Sequence, residues 1–334
     1  MSRPLRRTAL CVLVLVAAGS LTLGRTVSAY TDSVTTASSA FSAAADFVAP
    51  TATAAAVGRS TAYLTGYINQ GATYYVYANV TDAGNPASGT ATVTANVSSL
   101  TPSDTAVPLT PGTYTAGGTP YNYRSAALTA ASGLTAGSQS YTITSTDHAA
   151  NSGTQSFTTI VDNTPPTAVD VQSTNVSGGT VGRLEKGDTF TLTYSGTMDP
   201  YSILAGWTGA TTPVAVALVD GGGSSTDYLQ VYTSDSTPTN LDQIPVGTIY
   251  LNSSNYLHAG TFVTFGVAGS AVPSTMTSNG VSITVVLGTA STTPATNPIR
   301  SAMTWSPSTE ATDIAGNHTT AATATQSGTV HVNF

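Results

Sequence analysis

Thr146-Asp147-His148-Ala149-Ala150-Asn151 and its echo Thr312-Asp313-Ile314-Ala315-Gly316-Asn317 decide how this chain is read. Each places an aspartate that can bond its own backbone before small residues and an asparagine that tolerates a left-handed backbone, which is the chemistry of a tight turn between close-packed strands. Two copies on one plan predict two β-domains.

Working outward, Thr73 to Thr81 alternates cleanly. Tyr74, Val76, Ala78 and Val80 share one face, and Tyr75, Tyr77, Asn79 and Thr81 the other, the pattern of a half-buried strand. Similar runs occur at Thr90 to Val97, Tyr123 to Ala130, Ser140 to Asp147 and Thr154 to Val161. Beyond Pro165-Pro166, a stiff joint because consecutive prolines fix φ and remove two donors, strands are expected at Asp188 to Ser195, Val214 to Val219, Tyr228 to Thr233, Thr248 to Leu251, Thr261 to Val267, Ser282 to Leu287, Ala302 to Trp305 and Thr329 to Phe334. No run has helical period. The fold class expected is all-β, two tandem immunoglobulin-like β-sandwich domains over residues 58–163 and 164–334, preceded by an arm over 30–57 and a leader over 1–29.

The leader is read from Arg3, Arg6 and Arg7 ahead of an apolar stretch from Ala9 to Ala18, with Val27-Ser28-Ala29 as a small-residue cleavage site, so cleavage is expected between Ala29 and Tyr30. Arg6-Arg7 also fits a twin-arginine signal, although general secretion suits the flanking residues better. The one cysteine, Cys11, lies inside the leader, so the exported chain has no thiol and must be held together by core burial. No hydrophobic tail or Leu-Pro-any-Thr-Gly sorting motif is read at the C-terminal end. A secreted location, with noncovalent retention at the cell surface as the alternative, is the expectation.

Removing the leader leaves 5 basic against 16 acidic side chains, a balance of −11. That excludes nucleic acid as a natural partner. Charged residues are 7% of the chain, against about 25% in ordinary globular proteins, so the surface is hydroxyl-rich and repels neighbours weakly. Self-association therefore belongs among the expected functions.

Tyr141-Thr-Ile-Thr-Ser-Thr-Asp147, Asn151-Ser-Gly-Thr154 and Val161-Asp162-Asn163-Thr164-Pro165-Pro166 resemble bacterial immunoglobulin-like repeats over most of the first domain. The resemblance implies a tyrosine corner at Tyr141, its hydroxyl bonding the preceding turn. The family's usual glycine before the turn asparagine is Ala150 here, which predicts a looser first turn. Met198-Asp199-Pro200 resembles the larger immunoglobulin-like domains of surface-layer proteins, where it precedes a short helical turn; the acidic residue often found before the methionine is Thr197 here. Ala29-Tyr30-Thr31-Asp32-Ser33 with Ala40-Phe41-Ser42-Ala43 resembles the cleavage region of the camelysin and biofilm-fibre family. That resemblance implies that Tyr30 to Phe41 can act as a donor strand between subunits; a simple spacer is the other reading of the same Ala, Ser and Thr-rich arm.

Chemistry is sparse. His148, His258, His318 and His331 lack ligand spacing, and no Gly-any-Ser-any-Gly elbow is present. Glu185 and Glu310 are the only glutamates, the aspartates fall mostly at turns where they cap backbone amides, and no groove-forming architecture supports a glycosidase pair. No enzyme and no cofactor are expected. Asp162, Asn163 and Asp170 flank the joint and, with the turn residue Asp147 expected nearby, are the candidates for calcium, although six to eight oxygens would be needed. Tyr75, Tyr77, Tyr121 and Tyr123 are the candidate ligand platform, since flat rings with hydroxyls suit sugar faces; cross-strand packing is the other explanation. The function expected is structural or adhesive, with other surface proteins, wall polysaccharide or a second copy as partner. A carbohydrate-binding module through those tyrosines is the alternative, and an unrecognised enzyme a distant third.

Overall fold

The computed structural model describes residues 46–222, 226–237, 239–257, 261–297 and 301–328. The leader, the Ala29/Tyr30 cleavage site, the donor-strand segment Tyr30 to Phe41, His258, His331 and the strand expected at Thr329 to Phe334 lie outside the described residues.

The chain is all-β and forms two sandwich domains. In the first, one layer runs β1 (Thr51–Gly58), β3 (Thr73–Thr81), β6 (Thr119–Ser125) and β5 (Val107–Ala116), with β7 (Leu128–Thr129) on β3. The facing layer runs β4 (Thr90–Asn96), β8 (Gly137–Asp147), β9 (Ser152–Val161) and β2 (Tyr67–Ile68), and β5 links the two by pairing with both β6 and β4. The alternation read in Thr73–Thr81 sets the core: Tyr74, Val76, Ala78 and Val80 all pack between the layers with Val93, Ile143 and Val161.

Strand β1 corrects the boundary of the arm. Residues 51–57, read as the end of a flexible or conditionally ordered arm, belong to a strand that pairs antiparallel with β3 from Thr51 opposite Thr81 to Gly58 opposite Tyr75. Ala52 and Val57 reach the core. The run is Ala-rich and a bulge between Ala52 and Ala54 breaks its period, so alternation is invisible in the sequence.

In the second domain β10 (Ala168–Thr174), β11 (Thr189–Tyr194), β17 (Ser282–Val286) and β16 (Ser274–Ser278) form one layer. Strand β12 (Thr212–Val219) passes between layers, its start pairing with β16 and the remainder lying between β13 (Tyr228–Thr233) and β15 (Phe262–Phe265). β14 (Gln243–Tyr250), β18 (Thr304–Ser306) and β19 (Ala324–Thr325) complete the second layer. Trp305 fills the centre, its Nε1 donating to the Val246 carbonyl at 2.8 Å and Tyr194 meeting its ring edge-on at 4.8 Å. The helical turn after Met198-Asp199-Pro200 is α1 (Pro200–Ile203), capped by the Asp199 side chain, which accepts from the Tyr201 N–H.

Tyr141 is a core residue but not the expected corner. Its ring lies 5.9 Å from that of Phe157, and its hydroxyl has no hydrogen-bond partner among the described residues. Tyr194 is in the same condition in the second core. Burial drives both phenols well above the ordinary tyrosine value.

Candidate functional site

Both aspartate turns are built alike. In the first, the Asn151 N–H donates to Asp147 Oδ1 at 2.8 Å and its side-chain amide to Asp147 Oδ2 at 2.8 Å. In the second, Asn317 makes the same two bonds to Asp313 at 2.8 and 2.9 Å. The looser first turn expected from Ala150 is not found: Ala150 takes φ +68°, the left-handed region also occupied by Gly316 at +100°. The surrounding bonds hold the alanine there at a cost of about 1–2 kcal/mol that glycine would not bear.

The second copy is not an exposed hairpin between long strands. It is joined to its surroundings by single bridges, Met198 with Asp313 and Thr312 with His318, and Asp313 and Asn317 are buried where the two domains meet. His148 and His318 are exposed, as read from the sequence.

That meeting place is the most organised polar site in the described structure. Arg59, just beyond β1, places Nη2 at 2.8 Å from Asp199 Oδ2 in the second domain, the side chains being 18% and 2% exposed. The same Nη2 donates to the Asp313 carbonyl at 3.4 Å. Asp199 also accepts the Tyr63 N–H at 3.2 Å, and the Tyr63 ring meets Tyr201 edge-on at 5.5 Å. Asn69 donates to the Asn317 side-chain oxygen at 3.2 Å, while the Asn317 amide donates to the Asp162 carbonyl at 2.9 Å, clasping the linker ahead of the two prolines. Asn163 receives the Gln70 N–H and donates to the Leu134 carbonyl.

Burial raises the Asp199 carboxyl above its ordinary value even though the Arg59 guanidinium pulls the other way. Asp313 is likewise raised by burial, against the bonds from Asn317. The ion pair therefore offsets a desolvation cost rather than adding free stability.

The residues proposed for calcium are not brought together. Asp162 caps the Thr164 N–H, Asn163 is engaged by Gln70 and Leu134, and Asp170 binds Val171, Gln172 and Ser327. Asp147 instead joins Asp46 and Asp82, each offering a carboxylate oxygen within 4.8 Å of the others. Three carboxylates fall short of the six to eight oxygens calcium takes, and Asn151 turns an amide nitrogen, a donor, toward Asp147 and the Asp46 carbonyl. Hydrogen bonds from the Val48 and Ser88 backbone hold the Asp46 carboxyl below its usual range.

Nor do the four candidate tyrosines form an exposed platform. Tyr77 and Tyr121 are buried against Ala56 and Ala116, their rings 5.5 Å apart, with Tyr75 6.2 Å from Tyr77. The Arg124 guanidinium lies 4.9 Å from the Tyr75 ring centre and 4.6 Å from that of Tyr114, closing the cluster. Tyr123 packs against the interior core instead. A shallow groove of about 450 Å³ on the second domain, edged by Tyr228, Phe262 and Asp220, was not foreseen.

Arg59, Asp199, Asp46 and Asp82 were missed as site residues. A signal existed: Asp46-Phe47-Val48-Ala49-Pro50-Thr51-Ala52 repeats as Asp162-Asn163-Thr164-Pro165-Pro166-Thr167-Ala168, marking the same lead-in ahead of each domain.

No protein-family model matches this chain, and no curated protein matches it. Among solved structures, dimeric latent PorU from Porphyromonas gingivalis is similar over 73% of this chain and 20% of that one, at 13% identity and a TM-score of 0.22. The chain thus spans about a fifth of that protein's length, and so slight a likeness says nothing of function. No helix among the described residues is long and apolar enough to cross a membrane.

Proposed function

We propose that this chain is a non-enzymatic structural protein of the cell exterior, a stiff two-domain spacer that displays or links other surface components. The observation that carries the reading is the junction: a half-buried guanidinium paired with a buried carboxylate, a ring contact and the Asn317 clasp join domains that a bare linker would leave free to swing. Stiffness serves a spacer and has no evident use in two independently acting modules. The hydroxyl-rich surface and the export signal read in the sequence agree with an exterior role. The burial of Tyr77 and Tyr121 removes the main support for sugar binding on the first domain.

The test is an interdomain distance distribution. The exported chain has no cysteine, so spin labels at Ser103→Cys and Glu310→Cys, both exposed positions in different domains, report that distance alone. A single narrow distribution that broadens in Arg59→Ala is expected. A broad distribution in the unaltered chain would sink the spacer reading.

A further inference from the structure

The two lead-in segments are equivalent in more than sequence. In each, the aspartate accepts the N–H two residues on, Val48 to Asp46 and Thr164 to Asp162, both at 2.9 Å. In each, the turn asparagine of the same domain grips the aspartate's carbonyl, Asn151 on Asp46 at 3.2 Å and Asn317 on Asp162 at 2.9 Å. Each segment then feeds the first strand of its sheet, β1 or β10.

They differ in what covers them. At the second lead-in another β-domain is seated, its β1–β3 loop delivering Arg59 to Asp199 and Tyr63 to Tyr201. At the first, Phe47, the counterpart of Asn163, is 74% exposed and Val48 48% exposed. Asp46, Asp82 and Asp147 crowd together beside them; Asp46 and Asp147 are buried and hydrogen-bonded within the domain, Asp82 is half-buried, and neither ion pair among the described residues involves any of the three. At the second junction a carboxylate beside the lead-in, Asp199, holds a guanidinium from the neighbouring domain, so the chain itself shows a cation received at such a place.

The matching donor is also present. The counterpart of the β1–β3 loop is the β10–β11 loop, residues 175–188, at the far end of β10. It carries Val181, 59% exposed, and exposed Lys186, while Arg183 of the same loop is already paired with Glu185. An apolar residue and a cation at one end thus complement an apolar pair and the half-buried Asp82 at the other.

We propose that the end of the first domain bearing Asp46, Asp82 and Asp147 docks the β10–β11 loop of a second copy, with Lys186 pairing with Asp82, its negative field reinforced by the two buried carboxylates beneath, and Val181 covering Phe47 and Val48. Copies then join head to tail in the manner in which the first domain already sits on the second. The contact uses two different patches, so it does not close on itself as a twofold dimer does and extends into open chains. The inference rests on the structural role proposed above and names its partner.

Sedimentation velocity of the full exported chain over rising concentration tests it. The unaltered chain is expected to show a rising average sedimentation coefficient. Lys186→Glu and Asp82→Lys are each expected to lose this concentration dependence. An equimolar mixture of the two should stop at dimers, because each variant keeps one working end and the altered ends do not dock on each other. Phe47→Glu, at an exposed position that folding does not need, blocks the same end should Asp82→Lys fail to fold. Concentration-independent sedimentation of the unaltered chain, or assembly that survives Lys186→Glu, would overturn the proposal. So would assembly that needs added calcium and is indifferent to Lys186. A monomer with a narrow interdomain distance would remove the docking while leaving the spacer intact.

Discussion

Replacing Arg59 by alanine isolates the ion pair that joins the domains. Asp199 would keep the Tyr63 and Tyr201 N–H bonds and lose the guanidinium 2.8 Å away, in a position where its side chain is 2% exposed. Removing one partner of a fully buried pair costs about 3–5 kcal/mol. Two features lower that figure here. Water reaches Arg59, which is 18% exposed, and its Nε is buried without a hydrogen-bond partner, so its removal also relieves about 1 kcal/mol of unmet desolvation. The net loss expected is about 2 kcal/mol.

Trp207 and Trp305 both lie in the second core, so tryptophan fluorescence in urea follows that domain alone. With a slope of roughly 2 kcal/mol/M the midpoint should fall by about 1 M. The defect must also depend on pH. Asp199 is raised by burial, and without Arg59 it rises further, so as pH falls through that value the acid becomes neutral and no longer needs a counter-charge. The gap between variant and parent should therefore narrow as pH falls from neutral toward the ordinary aspartate value. A loss below about 0.5 kcal/mol, or a gap constant with pH, would refute the account of the junction.

Other outcomes follow from the same geometry. Asn317→Ala removes the bonds to Asp162, Asp313 and Asn69 and should cost roughly 2–3 kcal/mol in urea unfolding, with broadening of the interdomain distance; an unchanged distance would show that the clasp does not set it. Ala150→Gly relieves a left-handed alanine and should raise the thermal midpoint of the first domain by a few degrees, about 1 kcal/mol, whereas Gly316→Ala should lower the second's because its Cβ would lie 2.9 Å from Arg59 Nε. Asp188, Asp199, Asp227 and Asp313 are all raised by burial, so the native state binds their protons more readily than the unfolded chain. Stability should then increase as pH falls from neutral toward the ordinary aspartate value; a urea midpoint that declines over that interval would contradict the assignment.

The elements that the sequence revealed are those whose two faces differ sharply in chemistry. Thr73–Thr81 and Tyr228–Thr233 are strands over the bounds expected, because large apolar and polar residues alternate there without interruption. β5 escaped because Pro108 and Pro111 read as breakers and a bulge lies between Pro111 and Tyr114. β10 escaped because Val169 is exposed and a second bulge follows Ala168, and β16 because Ser274–Ser278 is mostly hydroxyl-bearing. The site was harder still. Arg59 meets Asp199 across 140 positions and the Asp313 carbonyl across 254, and no local period reports such a pairing. The tyrosines were placed on the correct face of β3, but alternation cannot tell solvent from a cluster closed over by Arg124.

The unpartnered phenols at the centre of each domain set an alkaline boundary for the whole fold. Tyr141 and Tyr194 cannot release a proton where they stand, because no donor is present among the described residues to stabilise the phenolate. The unfolded chain can release both near the ordinary tyrosine value, so stability drains away as pH climbs above about 10. Tyr74 and Tyr256, pushed up to about 12 by burial, add to the same drain. Strong base should therefore dissolve both domains over one narrow interval, and the ultraviolet absorbance of tyrosinate would mark the moment at which each core opens.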